Sequence, residues 1–447
     1  MDAFPLELLH LIVAFTGRKD LPSLARTCSA LLNPSRQELY RQVTLRSDAH
    51  LKYTLSLLMR EDISKRVIEL HILGFSPFIQ PNGPASFEMM KGLRNLATLS
   101  IQNCPATFST VADQGVFQQV LTTYCPSLKN IRVVKSGFIG SQLLLGGLQN
   151  IIWEEDQGPF SSLALSLLSS SISTLTHLSV PSASTGDTTH IMSFCSLRFP
   201  QLSVLVIEPW VEDELTSVHS LVAGFNQFLS EHSSIYHLEL GCCDLGCCLI
   251  ELDDAYMTEE FLPELRTFKG HVRNIEKLAS GRCQSLTKVK TLIAGWFDDD
   301  FFPEDFSDIL DRDGVFSVLE EFVFKTSEVL EGEPEPFLEW MECLANASPL
   351  LRVWRGSLPP TMSLNLLIQV FSRFRNIREI EIFSWTVPEP DQETLKIDAA
   401  RAVAAHCRYL QSFYFRDAAG IPKVMNFVRD HEVNGAISSS ILSTVEE

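Results

Sequence analysis

The sequence predicts an α/β chain: a small three-helix module at the amino end, then a repeat solenoid whose parallel strands form a horseshoe-like sheet. Three observations predict it. Apolar residues at helical spacing fill the first forty-five positions. A short strand phrase then recurs thirteen times between Val67 and Phe415, at intervals of 20 to 33 residues. Segments with helical spacing occupy most of those intervals. A non-repetitive mixed α/β fold, which shares the strand-helix alternation, is the alternative.

At the amino end, Pro5 fixes φ at a first helical position, and Leu8, Ile12 and Phe15 recur at helical spacing up to Gly17, where a left-handed cap costs least. Asp20 can cap a second helix carrying Leu21, Leu24, Ala25, Cys28, Leu31 and Leu32, which Asn33-Pro34 is expected to stop. A third segment, Ser35 to Gln42, leads into Val43-Thr44-Leu45, which reads as an extended edge. Three short helices lack the interior volume to bury the apolar side chains they carry. Part of that surface must meet another protein.

The recurring phrase is an apolar residue, two others, an apolar residue, one other, then an apolar or small residue. It runs from Val67 to Ile72, Leu96 to Ile101, Leu128 to Val133 and Leu148 to Trp153, and onward through Leu286 to Thr291 and Leu319 to Phe324 to Leu410 to Phe415. Gly115 to Tyr124, His219 to Glu231, Phe337 to Ala347, Leu364 to Phe374 and Ile397 to His406 carry helical spacing between the phrases. The two shortest intervals, Leu128 to Leu148 and Leu265 to Leu286, are expected to hold extended returns. Cys104 and Cys243 each follow a strand phrase, in the turn after it. Pro422 to Val433 reads as a capping helix, and the serine-rich Asn434 to Glu447 as a mobile tail. The domains expected are therefore 1–45, 46–417 and 418–447.

Strand side chains alternate, so the residue between the last two apolar positions of each phrase faces the concave side. Arg132, Glu239, Lys269, Lys290, Arg355, Glu381 and Tyr414 are the candidate binding residues there. Lys269, Lys290 and Arg355 form a basic stripe suited to an acidic or phosphorylated segment.

The run Phe4-Pro5-Leu6-Glu7-Leu8-Leu9, followed by Asp20-Leu21, Leu24-Ala25 and Cys28, resembles the F-box, the module that docks onto the Skp-family adaptor of cullin-based ubiquitin ligases. The resemblance covers about a tenth of the chain. It departs from the pattern at Phe4, where a Leu is usual, and at Leu39 and Tyr40, where many F-boxes carry a Trp. The repeat interval, averaging about 29 residues, is similar to that of leucine-rich repeats. An F-box followed by such repeats resembles the substrate receptors of ubiquitin ligases, especially the divergent fungal sets. That resemblance implies adaptor binding through Phe4, Pro5, Leu8, Ile12, Leu21, Leu24, Cys28 and Leu31, a cullin reached through the adaptor, and a protein target on the repeats. A repeat scaffold acting independently of any ligase is the alternative.

Composition narrows the rest. A net charge of −19 argues against nucleic acid or an anionic membrane as the main partner. Residues 1 to 66 hold ten Lys or Arg and seven Asp or Glu, a balance of +3, so residues 67 to 447 carry −22. A mildly basic head suits an acidic adaptor. No apolar run reaches the roughly 18 residues of a membrane span. No basic segment precedes the first apolar run. Eleven scattered cysteines read as reduced thiols of a cytoplasmic or nuclear protein.

Cys242, Cys243, Cys247 and Cys248 lack the spacing of a zinc site. The acidic stretch Trp296 to Gly314 fits a calcium loop poorly, because Ile309 stands at its first ligand position. No phosphate-binding glycine motif or nucleophile elbow appears. The expectation is a binding protein without metal, cofactor or catalytic centre.

Overall fold

A computed structural model describes residues 5–46, 51–74, 83–104, 107–108, 110–138, 142–154, 162–180, 188–207, 218–241, 252–279, 282–296, 308–312, 314–326, 334–359, 362–385, 392–416, 422–429 and 437–443. The chain divides into two compact units, residues 1–202 and 203–447.

The first unit opens with α1 (Leu6–Phe15), α2 (Leu21–Thr27) and α3 (Ser29–Arg41), then strand β1 (Gln42–Arg46). The expected edge is therefore a strand, paired in parallel with β2 (Glu69–Leu73). Pairing continues in sequence order through β3 (Thr98–Gln102), β4 (Asn130–Val134), β5 (Asn150–Glu154) and β6 (His177–Val180). The returns hold α4 (Leu51–Leu58), α5 (Glu61–Ser64), α6 (Gly83–Lys91), α7 (Val111–Tyr124) and α8 (Ser162–Ser170). α9 (Thr188–Cys195) follows β6. No helix lies among the described residues between β4 and β5, as the shortness of that interval leads one to expect.

The second unit carries β7 (Val204–Ile207), β8 (His237–Leu240), β9 (Thr267–His271), β10 (Thr291–Trp296), β11 (Glu321–Thr326), β12 (Val353–Gly356), β13 (Glu379–Ile382) and β14 (Ser412–Arg416). All pair in parallel and in sequence order. Between them lie α10 (Val218–Ser230), α11 (Val272–Leu278), α12 (Pro334–Ala347), α13 (Leu364–Phe371) and α14 (Gln392–His406). Each unit is thus a strand-and-return solenoid with the leucine-rich-repeat type of order.

The apolar phrase explains the packing. In β5, β6, β7, β8, β12 and β13, half-buried and buried residues alternate, the buried ones facing the helices. Ile151, Trp153, Leu178 and Val180 meet Ala164, Leu167 and Leu168 of α8. In the second unit, Phe322, Phe324 and Phe337 surround Trp340 at ring-centroid distances of 5.8, 5.2 and 5.4 Å. α7 starts where its sequence says it should. Thr110 accepts the Asp113 N–H and donates its hydroxyl to the Asp113 carboxylate.

The turns after β2, β3 and β4 are built alike. Gly74, Asn103 and Lys135 each adopt positive φ, and each donates its N–H to the last carbonyl of the next strand, Gln102, Val134 and Glu154. Cys104 is buried behind this turn, and in the following repeat the buried Ser136 hydroxyl donates to the Ile101 and Val134 carbonyls. Cys243 lies outside the described residues.

Five expectations need correction. Gly17 makes no left-handed cap: α1 ends at an extended Thr16, whose hydroxyl donates to the Ile12 carbonyl at 2.7 Å. Asp20 makes no side-chain cap. The second helix breaks at Cys28 rather than Asn33-Pro34, and Pro34 sits buried inside α3. Its missing N–H costs only one ladder bond early in the helix, and burial against its neighbours offsets that loss.

The interval after β9 is not extended, because α11 fills it and Leu286 lies in a 3-10 turn, Ser285–Lys288. The strand phrase there begins three residues later, at Val289, with Leu292 and Ala294 buried. Finally, Pro422 starts no helix. β15 (Pro422–Arg429) and β16 (Ile437–Ser443) add antiparallel to β14, with Tyr414 opposite Val424 and Met425 opposite Ile441. An open β14 edge would leave a row of backbone groups without partners, and the Val424, Phe427 and Val428 sequence suits strand better than helix.

Candidate functional site

The amino-terminal helices place one apolar surface in solvent. α1 packs on α3 through the buried Val13, and the Arg18 guanidinium donates to the Leu39 and Gln42 carbonyls, tying the end of α1 to the end of α3. That leaves the other side of α1 uncovered. Leu8, Leu11, Ile12 and Phe15 are 44, 51, 43 and 88% exposed, at i, i+3, i+4 and i+7. They form one stripe along the helix.

The docking residues read from the sequence divide unevenly. Leu8 and Ile12 lie on the stripe, Pro5 and Cys28 are exposed, and Leu24 and Leu31 are half-buried. Leu21 is only 1% exposed and belongs to the interior of the module. Phe4 lies outside the described residues. Leu11 and Phe15 were missed as docking residues, although the same helical period runs through both.

On the open face of the sheets, cross-strand register sets which candidates are neighbours. In the first unit His71, Ser100, Arg132 and Ile152 stand side by side. Arg132 reaches Glu154 at 3.9 Å, and Asn150, Asn130 and Thr98 form a hydrogen-bonded ladder of 2.6 and 2.9 Å links. In the second unit the row runs Val206, Glu239, Lys269, Ile293, Val323, Arg355, Glu381 and Tyr414. Lys290 is not in it. The three-residue correction at β10 puts Ile293 there and leaves Lys290 ahead of the strand.

The remaining cations of the expected basic stripe are neutralised. Lys269 meets Glu239 at 2.8 Å, and His237 Nε2 lies 2.8 Å from the other Glu239 oxygen. The His237 hydrogen bond, reinforced by Lys269, outweighs burial and holds the Glu239 carboxyl down at about 2. Arg355 stands among Glu321, Glu379 and Glu381 at 2.9, 2.8 and 3.2 Å. Burial, helped by Glu379 and opposed by Arg355, pushes Glu381 above the usual carboxylate range. One cation against three carboxylates makes this cluster acidic. The middle of the open face therefore presents paired charges, not a basic stripe.

Among the described residues no His, Cys, Asp or Glu trio is placed to hold a metal ion, and no helix is long and apolar enough to cross a membrane. Cys242, Cys243, Cys247, Cys248 and most of the acidic stretch at 296–314 lie outside the described residues.

No protein-family model matches the chain, and no curated protein matches it at a significant level. Among solved structures, the crystal structure of the Rad7 and Elc1 complex in yeast is similar at a TM-score of 0.44 and 15% identity, over 85% of this chain and 88% of that one. A likeness at that level carries no argument about function, which is therefore argued from this chain's own residues.

Proposed function

We propose that the chain is the substrate-recognition subunit of a Skp-cullin-F-box ubiquitin ligase, an F-box protein with leucine-rich-type repeats. The observation that carries the reading is the exposed stripe of Leu8, Leu11, Ile12 and Phe15 on α1. A soluble helix that leaves four large apolar residues in a row is shaped to lie against a partner. The F-box resemblance of the surrounding residues names that partner as a Skp-family adaptor, with the cullin beyond it.

In this reading the chain is no enzyme, and it works in the cytoplasm or nucleus. The repeats hold a target protein, and ubiquitin transfer is done by other subunits. The chain's contribution is proximity: a tethered target lysine meets the charged conjugating enzyme at a raised effective concentration.

Co-purification of the adaptor with the full chain tests it. Wild type should retain the adaptor, and the Leu8→Asp, Ile12→Asp pair should lose it. Retention by the double variant contradicts the reading. The burial of Leu21 narrows the docking face and favours a second reading, a repeat scaffold independent of a ligase. Bound targets whose lifetime is unchanged by cullin inhibition would select that alternative.

A further inference from the structure

The strongest unassigned charge feature lies at the start of the strands in the second unit. One residue ahead of each strand, a continuous backbone ladder joins neighbouring repeats: Arg266 N–H to Tyr236 O, Lys290 to Arg266, Glu320 to Lys290, Arg352 to Glu320, Arg378 to Arg352 and Gln411 to Arg378. Equivalent backbone places equivalent side chains at one edge, so Arg266, Lys290, Glu320, Arg352 and Arg378 form a single file. Four of those five are cations, on a chain of net charge −19. The corresponding ladder in the first unit runs through Arg41, Ile68, Ala97, Lys129, Gln149 and Thr176, with charge only at Arg41 and Lys129.

The charges in this file are under-compensated, unlike those on the open face. Lys290 and Arg352 share one carboxylate, Glu320, at 2.9 and 3.3 Å. Hydrogen bonding from Lys290 holds that carboxyl below its usual range, so it stays ionised and the trio carries +1 near neutral pH. Arg266 and Lys288 likewise share Glu264, at 3.3 and 4.0 Å. Arg378 is exposed and has no carboxylate within ion-pair distance among the described residues.

We infer that this strand-start edge binds an acidic segment of a protein, laid across the repeats in extended form. Spacing supports a peptide. Neighbouring strands lie about 4.8 Å apart, so the backbones at Lys290 and Arg352, two strands apart, are roughly 10 Å from each other, while their charged groups lean together onto Glu320. Three residues of extended chain span about the same distance. Two acidic residues three positions apart can therefore meet Lys290 and Arg352 while an uncharged residue crosses Glu320. A nucleic-acid strand carries a negative charge on every nucleotide and faces the repulsion of the whole acidic chain. The inference names the chemistry of the target in the receptor reading. It needs only that the repeats bind a protein, and α1 takes no part in it.

The test is fluorescence anisotropy on the full chain at low ionic strength, with a labelled Gly-Ser peptide carrying two glutamates three positions apart. The same peptide with two phosphoserines, one with two glutamines, and a labelled oligothymidine serve as comparisons. Wild type should bind both acidic peptides at least tenfold more tightly than the glutamine peptide. Arg352→Glu with Arg378→Glu, and separately the milder Arg378→Gln, should weaken that binding, whereas Lys129→Glu, at the equivalent ladder position of the first unit, should not. Melting temperatures of the variants should match wild type. Equal binding of acidic and neutral peptides, tighter binding of the oligothymidine, or loss caused equally by Lys129→Glu would overturn the inference. Adaptor co-purification with the same variants should be unchanged, which separates a failure here from a failure of the receptor reading.

Discussion

At the scale of single residues, the open face is governed by desolvated ion pairs, and its variants should show it. Glu239 titrates near 2 in the fold and near 4.5 when free. A depressed folded value contributes stability that is fully present above the free value and is lost as pH falls through the folded one. Glu239→Gln should therefore destabilise the chain near neutral pH, and the deficit should shrink to nothing between about pH 4.5 and 2. Thermal melts over that range check it. A deficit that persists undiminished at the acid end would contradict the ion-pair account.

Arg355 gives the same sign from the cationic side of a pair. Removing it leaves Glu321, Glu379 and Glu381 facing one another, raises their folded values and penalises the ionised state. Arg355→Gln should cost about 1–3 kcal/mol at neutral pH, less than the fully buried range because the group is a third exposed, and less again below pH 5. Gly270 and Gly356 have a steric role. A Cβ at Gly270 would stand 2.6 Å from Phe268 Cζ, and one at Gly356 2.9 Å from Trp354 Cζ2. Each aromatic ring fills the space its neighbouring glycine leaves. Gly270→Ala should lower stability by roughly 1–3 kcal/mol in a denaturant titration.

At the scale of elements, what was readable depended on the range of the signal. Helices carried by strong local periods stood close to their expected places: α7, α10, α12, α13 and α14 all overlap the segments that the apolar spacing marks. Capping at Thr110 is equally local, and Thr110→Ala should cost about 1 kcal/mol in a melt. The misplacement at β10 came from two overlapping apolar frames. Leu286 and Val289 both start plausible phrases three residues apart, and only the hydrogen bonds from Lys290 and Thr291 to the Arg266 carbonyl choose between them. The pairing of α1 with α3 is also tertiary. It buries Val13 and leaves Leu11 and Phe15 outside, a division that helical spacing alone does not decide.

At the scale of the whole molecule, strand order was legible because each repeat pairs with its sequence neighbours, so local reading and global order agree. The carboxyl end was not, because β15 forms by filling an edge that exists only once β14 is in the sheet. Deleting residues from Pro422 onward should uncover that edge. The truncated chain should self-associate in light scattering at concentrations where the full chain stays monodisperse.

The candidate site was legible in part for the same reason. The apolar helix was visible in sequence, and the charge pairing that cancels the expected basic stripe was not, since Glu321 and Glu379 reach Arg355 only across the sheet.

The central claim is that the stripe on α1 is a protein-docking surface. Hydrogen exchange of the full chain with and without a Skp-family adaptor tests it most directly. The account predicts new protection concentrated in Leu6 to Phe15, absent in a Phe15→Asp variant whose melting temperature equals that of wild type. Unchanged exchange in α1, or protection that appears only in the repeats, would contradict it.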